Sequence, residues 1–397
     1  MRRLVLGLVL LAGVFALGEG ASRVAERFLP CRPACALYWN ANPLYGWEHA
    51  PGASGWCQGC FEGRVQWRMR GRFNSAGLRD ERDIPYERHE GIFRILVLGD
   101  SYTEGLQVDV PYTRLLEQRL GAAAPAGRRF EVLNAAVAGW GTDNSFLYFV
   151  NEGWKYRADL VLLAFDTGND VFENHRPLIQ STHFYPFDKP FFELNDGRLV
   201  LRQYPLPTPG LRRRVLHRLA SELAGHSALF RFLSTLPLPH LPRLAQAAPP
   251  PTADAVAKMD QNYLAETPPE WREAWRISRG LVLKLRAAVE GRGSRFAVVV
   301  VNGRDEVTKR WRWLLNLQAA FRALPQDFDK PHRLLTQFLT RRGIPFVPML
   351  DEFRAEFGET GTPGSRSRPS ALVSPNTPSF TTVGPFNSVR SSPGYAP

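Results

Sequence analysis

The C-terminal part of this sequence lacks the residue types that serve enzymes as acids and bases. No histidine occurs after His332, no aspartate after Asp351, and no acidic residue of any kind after Glu359. Glycine, proline, serine and threonine dominate residues 361–397, where no helical periodicity is visible. Such a composition cannot bury enough apolar surface to offset the entropy of ordering, so we predict a disordered low-complexity tail at 358–397. This tail can supply neither a carboxylate nor an imidazole to a catalytic site.

The sequence also lacks a nucleic-acid-binding motif, although the chain is strongly basic. It has 50 lysines and arginines against 38 acidic residues, which gives a formal net charge of +12. The arginines occur in scattered groups, for example at 68–72, 212–214 and 309–312. We therefore expect no nucleic-acid partner. The charge favours a general attraction to anionic surfaces such as membrane or polysaccharide, and a solvated basic surface is the alternative interpretation.

The N-terminus carries an apolar run that is short for a membrane span. Leu4 to Leu17 is a run of 14 residues, whereas a spanning helix needs roughly 20. The run follows the basic segment Met1-Arg2-Arg3, an arrangement typical of a signal peptide. An amphipathic continuation over 18–29 makes an uncleaved anchor the second option for residues 1–30, and a buried helix the third. Either leading option exports the protein, to the membrane surface, the periplasm or the extracellular side.

Cysteine is scarce, and all four residues lie close together. They form two pairs, Cys31-x3-Cys35 and Cys57-x2-Cys60. An even number of clustered cysteines behind an export signal favours two disulfides. A four-thiolate zinc site, with one pair at either end of a loop, is the alternative. Aromatic residues, glycines and prolines surround the cysteines, so we predict a small irregular or β-rich cap at 31–90 with a structural role.

Three apolar stretches, each ending in a polar loop, organise the rest of the chain. They are Ile95–Leu98 before Gly99-Asp100-Ser101, Phe130–Val137 before Ala138-Gly139-Trp140, and Leu160–Phe165 before Gly168-Asn169-Asp170. The first run, Ile95–Leu98, has no polar break, which is typical of a strand buried on both faces, and the other two are predicted as further strands. Ligands of open α/β sheets bind at the carboxyl ends of the strands. Ser101 is therefore well placed to act as a nucleophile.

These three blocks, in this order and spacing, resemble the SGNH hydrolases, also called GDSL-type lipases and esterases. Ser101 matches the family's nucleophile, Gly139 its second-block glycine and Asn169 its third-block asparagine. The flanking sequence, from Asn74 to about Phe357, is similar to the bacterial exported branch of the family. The resemblance implies a three-layer α/β/α fold with a flavodoxin-like parallel sheet over 91–357. It also implies hydrolysis of acyl esters, with no organic cofactor and no catalytic metal.

The residue types at these positions suit acyl transfer. The reaction needs a nucleophile and hydrogen-bond donors for the oxyanion. The backbone N–H of Gly139 can approach an oxyanion closely because glycine has no side chain. The side-chain amide of Asn169 and the backbone N–H of Ser101 are the other two predicted donors. Ordinary loop positions for Gly139 and Asn169 are the alternative.

One part of the family pattern is absent from this sequence. The family carries its general base in an Asp-x-x-His block after the last strand, which we predict here at 344–350. The low-complexity tail stands in that place, as a frameshift would leave it. Without the base, the Ser101 hydroxyl lacks activation, so we expect the chain to be a poor esterase. His175, five residues after Asp170, is the first candidate for a substitute base, and a surface or packing role is the alternative.

Helices and strands alternate after the first block, as a parallel sheet covered on both faces requires. An insertion is predicted at 176–268, in which Asn195-Asp196-Gly197 signals a hairpin. Asp143 or Asn144 is predicted to cap the second helix of the sheet domain. The predicted helices span 111–120, 143–156, 211–236, 270–290, 311–324 and 331–342.

The leading functional prediction is an exported ester hydrolase that acts on acyl groups, with acetyl esters of surface carbohydrate preferred. This preference for carbohydrate rests on the family resemblance. Three alternatives remain open. They are a non-catalytic carbohydrate-binding or scaffold protein that keeps the pocket, an O-acetyltransferase, and a lipid-ester hydrolase at the membrane surface. Attachment to a membrane through the N-terminus is compatible with each of them, and the oligomeric state is not predicted.

Overall fold

The computed structural model describes most of the chain up to residue 357. The described residues are 2–26, 28, 34–35, 39–61, 64–125, 127–180, 189–204, 212, 215–216, 219–220, 223, 226–233 and 258–357. The tail at 358–397, Cys31 and much of the insertion lie outside them, so the predictions made for those segments are not tested.

Strands and helices alternate along the described chain. The strands are β1 Ala34–Cys35, β2 Trp39–Asn42, β3 Gly46–His49, β4 Ser54–Phe61, β5 Arg64–Arg72, β6 Ile92–Leu98, β7 Arg129–Asn134, β8 Leu160–Asp166, β9 Phe191–Asn195, β10 Arg198–Arg202, β11 Arg295–Val301 and β12 Phe346–Pro348. The helices are α1 Arg2–Ala25, α2 Ser101–Glu104, α3 Tyr112–Ala122, α4 Thr142–Asn151, α5 Asp170–Glu173, α6 Arg176–Gln180, α7 Ala228–Leu233, α8 Pro269–Glu290, α9 Arg304–Val307, α10 Lys309–Leu315, α11 Ala319–Arg322, α12 Lys330–Arg341 and α13 Leu350–Phe357.

A parallel sheet of five strands forms the centre of the fold. Its order is β7-β6-β8-β11-β12, and every neighbouring pair is parallel. Counted along the chain, this is the order 2-1-3-4-5 of flavodoxin-like folds, in which ligands bind where the direction of strand addition reverses. Here that switch point lies between β6 and β8. The predicted fold class is confirmed.

Helices cover both faces of this sheet, because successive residues of each strand point to opposite sides. On one face Leu96 and Leu98 are fully buried in a cluster with residues of α8 such as Leu281. On the other face Val97 packs with Leu116 of α3. Each buried leucine or valine contributes about 1.5–3 kcal/mol. The strands therefore carry apolar residues on both faces, and the fold has three layers.

The cap consists of two small antiparallel sheets. One has the order β1-β4-β5, and the other pairs β2 with β3. Cys57 is buried, and Cys35 lies opposite it in the β1–β4 register. The side chains of Cys31, Cys35 and Cys60 lie outside the described residues, so the choice between disulfides and zinc remains a prediction.

Helix α1 is long and apolar enough to cross a membrane over Val5–Ala25, and only 6% of its most apolar window is buried. This exposure argues against a buried N-terminal helix and is compatible with a signal sequence or an anchor. The last turns of α1 contact α7. The carboxylate of Glu19 accepts hydrogen bonds from the backbone N–H groups of Ala228 and Leu229 at 2.9 and 3.0 Å. These hydrogen bonds, of which the one from Leu229 has the larger effect, lower the pKa of Glu19 to about 2.

The predicted hairpin is confirmed. Strands β9 and β10 pair antiparallel around Asp196 and Gly197, whose φ angles of 50° and 75° are those of a type I′ turn. The helix predicted at 311–324 is instead split into α10 and α11. Between them the side-chain amide of Asn316 donates to the carbonyl of Arg312, which is a local competitor of helical hydrogen bonding.

The prediction of the cap of α4 was wrong. The helix begins at Thr142, and Gly141 is its N-cap. Asp143 lies inside the first turn, where its carboxylate pairs with the ammonium group of Lys189 at 2.7 Å. Asn144 accepts a hydrogen bond from the N–H of Gly141 at 3.1 Å. A partner 46 residues away, which local sequence does not reveal, thus shifts the role of Asp143.

Candidate active site

Ser101 is the first residue of α2 and follows the central strand β6 by only two residues. A Cβ atom at Gly99 would lie 2.8 Å from Oγ1 of Thr103, so this tight strand-to-helix turn requires glycine. Asp100 caps the helix, since its Oδ1 accepts from the N–H of Tyr102 at 2.9 Å. The turn ends at Gly105, whose φ is 68°. Ser101 itself is partly exposed at the carboxyl edge of the sheet.

Gly139 lies in the loop after β7, which runs beside the turn that carries Ser101. The N–H of Val137 donates to the carbonyl of Gly99 at 3.2 Å, and the N–H of Trp140 donates back to the carbonyl of Val137 at 3.1 Å. Gly139 has a φ of 78°, a conformation that side chains disfavour. The chain therefore turns at Gly139 with its backbone uncovered by a side chain.

Asn169 follows β8, the other strand at the switch point. Its side-chain Nδ2 donates to Oδ2 of Asp100 at 2.9 Å, and its second contact, to Glu173, is long at 3.4 Å. The structure thus brings the blocks of Ser101, Gly139 and Asn169 to one edge of the sheet. Hydrogen bonds link the second and third blocks to the two residues before Ser101. The catalytic roles of the three residues remain predictions.

Three aspartates are buried around this edge, namely Asp100, Asp166 and Asp170. Burial raises the pKa of Asp100, and the hydrogen bond from Asn169 opposes that rise. Burial, and next the charge of Asp100, raise the pKa of Asp166 and of Asp170 well above the ordinary value. A raised pKa favours the neutral forms of Asp166 and Asp170, which reduces the negative charge at this edge of the sheet.

Asn134, at the end of β7, is a supporting residue that sequence reasoning missed. Its Nδ2 donates to the carbonyl of Thr103 at 2.7 Å, and its Oδ1 accepts from the N–H of Ala136 at 3.2 Å. It therefore joins the helix of Ser101 to the start of the Gly139 loop. The sequence contained a signal for this role, because Asn134 is a polar residue at the carboxyl end of a core strand. Ser101 lies just beyond the carboxyl end of the neighbouring strand.

A second polar cluster, also missed, lies between the ends of β8 and β11. Glu306 accepts hydrogen bonds from Oγ1 of Thr167 at 2.5 Å and from Nδ2 of Asn302 at 2.9 Å. Burial raises the pKa of Glu306 to about 7. Nδ1 of His332 lies 3.1 Å from the same Nδ2 of Asn302, and burial lowers the pKa of this imidazole. Nδ1 of the neutral imidazole can therefore accept a hydrogen bond from the side-chain amide of Asn302.

Three of the described histidines, His49, His175 and His332, contact residues other than the candidate nucleophile. His175 lies at the start of α6, where its Nδ1 accepts from the N–H of Leu178 at 3.4 Å, and burial lowers its pKa. His49 contacts Glu104. Within the described residues, Oγ of Ser101 makes no hydrogen bond to a histidine. Nothing in these contacts assigns the role of base to His175.

No protein-family model matches the sequence, and no curated protein matches it significantly. Two solved structures have related folds. One is an acetyl xylan esterase, AlAXEase, at 9% identity and a TM-score of 0.32, covering 67% of this chain and 81% of that one. The other is a Bacteroides fragilis protein described as an acylhydrolase, at 8% identity and a TM-score of 0.27, covering 67% and 71%. Likeness at this level carries no functional argument.

Proposed function

We propose that this chain is an ester hydrolase of the SGNH type with Ser101 as its nucleophile. The backbone N–H groups of Ser101 and Gly139 and the side-chain amide of Asn169 would hold the oxyanion. The observation that carries the proposal is the position of Ser101 at the switch point of the sheet, beside a glycine loop and an asparagine hydrogen-bonded to its neighbour Asp100. Ligands of such sheets bind at this point.

The finer parts of the proposal concern substrate and location. We propose an acetyl ester of surface carbohydrate as the substrate, in keeping with the sequence resemblance, and export with α1 as signal or membrane anchor. The residues described around Ser101 need no organic cofactor for acyl transfer, since a nucleophile and oxyanion donors carry the chemistry.

The second candidate is a carbohydrate-binding or scaffold protein that retains the same pocket without turnover. The observation that favours it concerns the base. His49, His175 and His332 contact residues other than Ser101. A serine hydroxyl without a positioned base is a weak nucleophile at neutral pH.

Labelling with a fluorophosphonate tests the first candidate against the second. We expect slow but measurable labelling that maps to Ser101, because oxyanion donors accelerate the reaction even when the base is missing. Ser101→Ala should abolish it, and Ser75→Ala, a change at an exposed turn, should not. Absence of labelling in the unaltered chain would leave only the binding protein.

Hydrolysis of a short acyl ester in the presence of added imidazole tests the missing base. Imidazole should accelerate turnover by the unaltered chain beyond its effect on Ser101→Ala, since it can act as the proton acceptor that no described histidine provides to Ser101. Rapid turnover without imidazole would contradict our expectation of a poor esterase. His175→Ala would then show whether His175 acts as base.

A further inference from the structure

Strand β3 of the cap contacts both halves of the candidate site. Alternate residues of a strand point to the same face. Trp47 and His49 lie in β3, and Tyr45 directly precedes this strand, so the three residues are spaced by two. Their exposed fractions are 4%, 4% and 1%. All three reach across to residues of the sheet domain. We refer to these three residues as the β3 clamp.

The clamp holds the loop of Gly139 from both sides. Nε1 of Trp47 donates to the carbonyl of Ala138 at 2.9 Å, and Nε1 of Trp140 donates to the carbonyl of Trp47 at 2.9 Å. The carbonyl of Ala138 belongs to the same peptide group as the N–H of Gly139. Because a peptide group is planar with its C=O and N–H opposed, fixing the carbonyl also fixes the direction of the N–H. Trp47 therefore aims the predicted oxyanion donor.

The clamp also holds the helix of Ser101. Nε2 of His49 lies 2.5 Å from Oε1 of Glu104, the last residue of α2, and both side chains are fully buried. The two atoms are in close contact without the alignment of a hydrogen bond. The imidazole also stacks on Phe73 with ring centroids 3.6 Å apart. A helix of one turn is unstable without tertiary contacts, so this buried contact anchors the turn that begins at Ser101.

We propose that Trp47 and His49 of the cap are positioning residues of the active site. Trp47 orients the N–H of Gly139, and His49 fixes α2 and hence Ser101. This inference rests on the proposed function, and it gives the cap a role beyond the structural one that its cysteines suggested. Loss of either contact should slow the reaction of Ser101 about fivefold, the effect of about 1 kcal/mol.

Substitutions that keep ring size separate positioning from packing. Trp47→Phe removes the indole donor, and His49→Phe removes the imidazole nitrogens while keeping a ring against Phe73. His49→Gln restores a donor toward Glu104 and should recover most of the effect. Trp56→Phe is the matched control, because the buried Nε1 of Trp56, in the same cap, has no hydrogen-bond partner among the residues that the structure describes.

Two measurements are made on each full-length variant, with the urea midpoint as a record of global stability. The first is the fluorophosphonate labelling rate of Ser101. The second is hydrogen exchange at the amides of Val137 and Trp140 in the loop and of Gly105 in the helix turn. Trp47→Phe should lose protection in the loop, and His49→Phe in the helix turn, with slower labelling in both. Trp56→Phe should match the unaltered chain.

The inference is overturned if Trp47→Phe and His49→Phe lower the urea midpoint while exchange at these amides and the labelling rate stay unchanged. Equal effects of Trp56→Phe would overturn it as well. If His49→Phe fails to fold, Trp47→Phe alone decides. If the unaltered chain does not label, the proposed function fails, and the exchange pattern alone decides whether the clamp orders the two segments.

Discussion

Replacing Lys189 by methionine should destabilise the protein in a strongly pH-dependent way. The ammonium group of Lys189 lies 2.7 Å from Oδ1 of Asp143, and the exposed fractions of the two side chains are 1% and 0%. Methionine retains much of the apolar stem and removes the charge, together with the hydrogen bond from Nζ to Oδ1 of Asn144 at 2.5 Å. Breaking a buried pair by removing one partner leaves an uncompensated charge, at a cost of about 3–5 kcal/mol.

The direction of the pH effect follows from the pKa of Asp143. Burial raises that pKa, and Lys189 opposes the rise, so the pKa climbs further in Lys189→Met. A carboxyl group whose pKa is higher in the folded state binds more protons there, and its contribution to stability is lost as the pH rises. Each pH unit above the unfolded pKa of about 3.9 costs about 1.4 kcal/mol. The loss relative to the unaltered chain, in which the pKa of Asp143 is itself raised, should be small near pH 4 and should grow with pH toward the ~3–5 kcal/mol of a broken buried pair.

Urea unfolding of Lys189→Met and of the unaltered chain, from pH 4 to pH 8, provides the measurement. The double variant Lys189→Met/Asp143→Asn is the control, since it removes both charges and should recover most of the stability at pH 7. An equal loss at pH 4 and pH 7 would refute the reasoning. It would mean that packing of the lysine stem, rather than its charge, stabilises the start of α4.

Two further predictions concern Gly139 and the cysteines. Gly139→Ala places a side chain at a φ of 78°, so we expect a loss of about 1–2 kcal/mol in the free energy of unfolding together with slower labelling of Ser101. Unfolding and labelling measured side by side check this, and an unchanged labelling rate would speak against Gly139 as a donor. Intact mass spectrometry of the exported, unreduced protein should show the loss of four hydrogens that two disulfides produce. Four intact thiols with one bound zinc would instead indicate a metal site formed by the four cysteines, Cys31, Cys35, Cys57 and Cys60.

The core of the fold could be predicted from local patterns because its signals are local. An unbroken apolar run such as Ile95–Leu98 indicates a strand covered on both faces, and Asp196-Gly197 has the φ preferences of one turn type. Strand order followed from the family resemblance rather than from these patterns. The edge of the sheet at which Ser101, Gly139 and Asn169 lie was also predictable from local patterns, because each of these residues follows an apolar strand.

The contacts that support the site could not be predicted in this way. Trp47 and Ala138 are 91 residues apart, and Asp100 and Asn169 are 69 apart. Neither the hydrophobic periodicity of a segment nor the secondary-structure propensity of its residues carries information about contacts between residues so far apart in the sequence. Asp143 illustrates the difficulty, because its residue type and position favoured a helix cap while its tertiary partner, Lys189, determines its role.

The contact between α1 and α7 bears on the proposed export of this chain. A leader peptide is ordinarily dispensable once the chain has crossed the membrane, since the mature fold does not use it. Here Glu19 directly follows Ala16-Leu17-Gly18, whose small residues could serve as a cleavage site. Its carboxylate accepts hydrogen bonds from the first N–H groups of α7. A cut after Gly18 would turn Glu19 into the new N-terminal residue and set a positive amino group beside the positive end of that helix. Processing would therefore alter how α7 is held, and precursor and processed forms would differ in the insertion as well as in their attachment to the membrane.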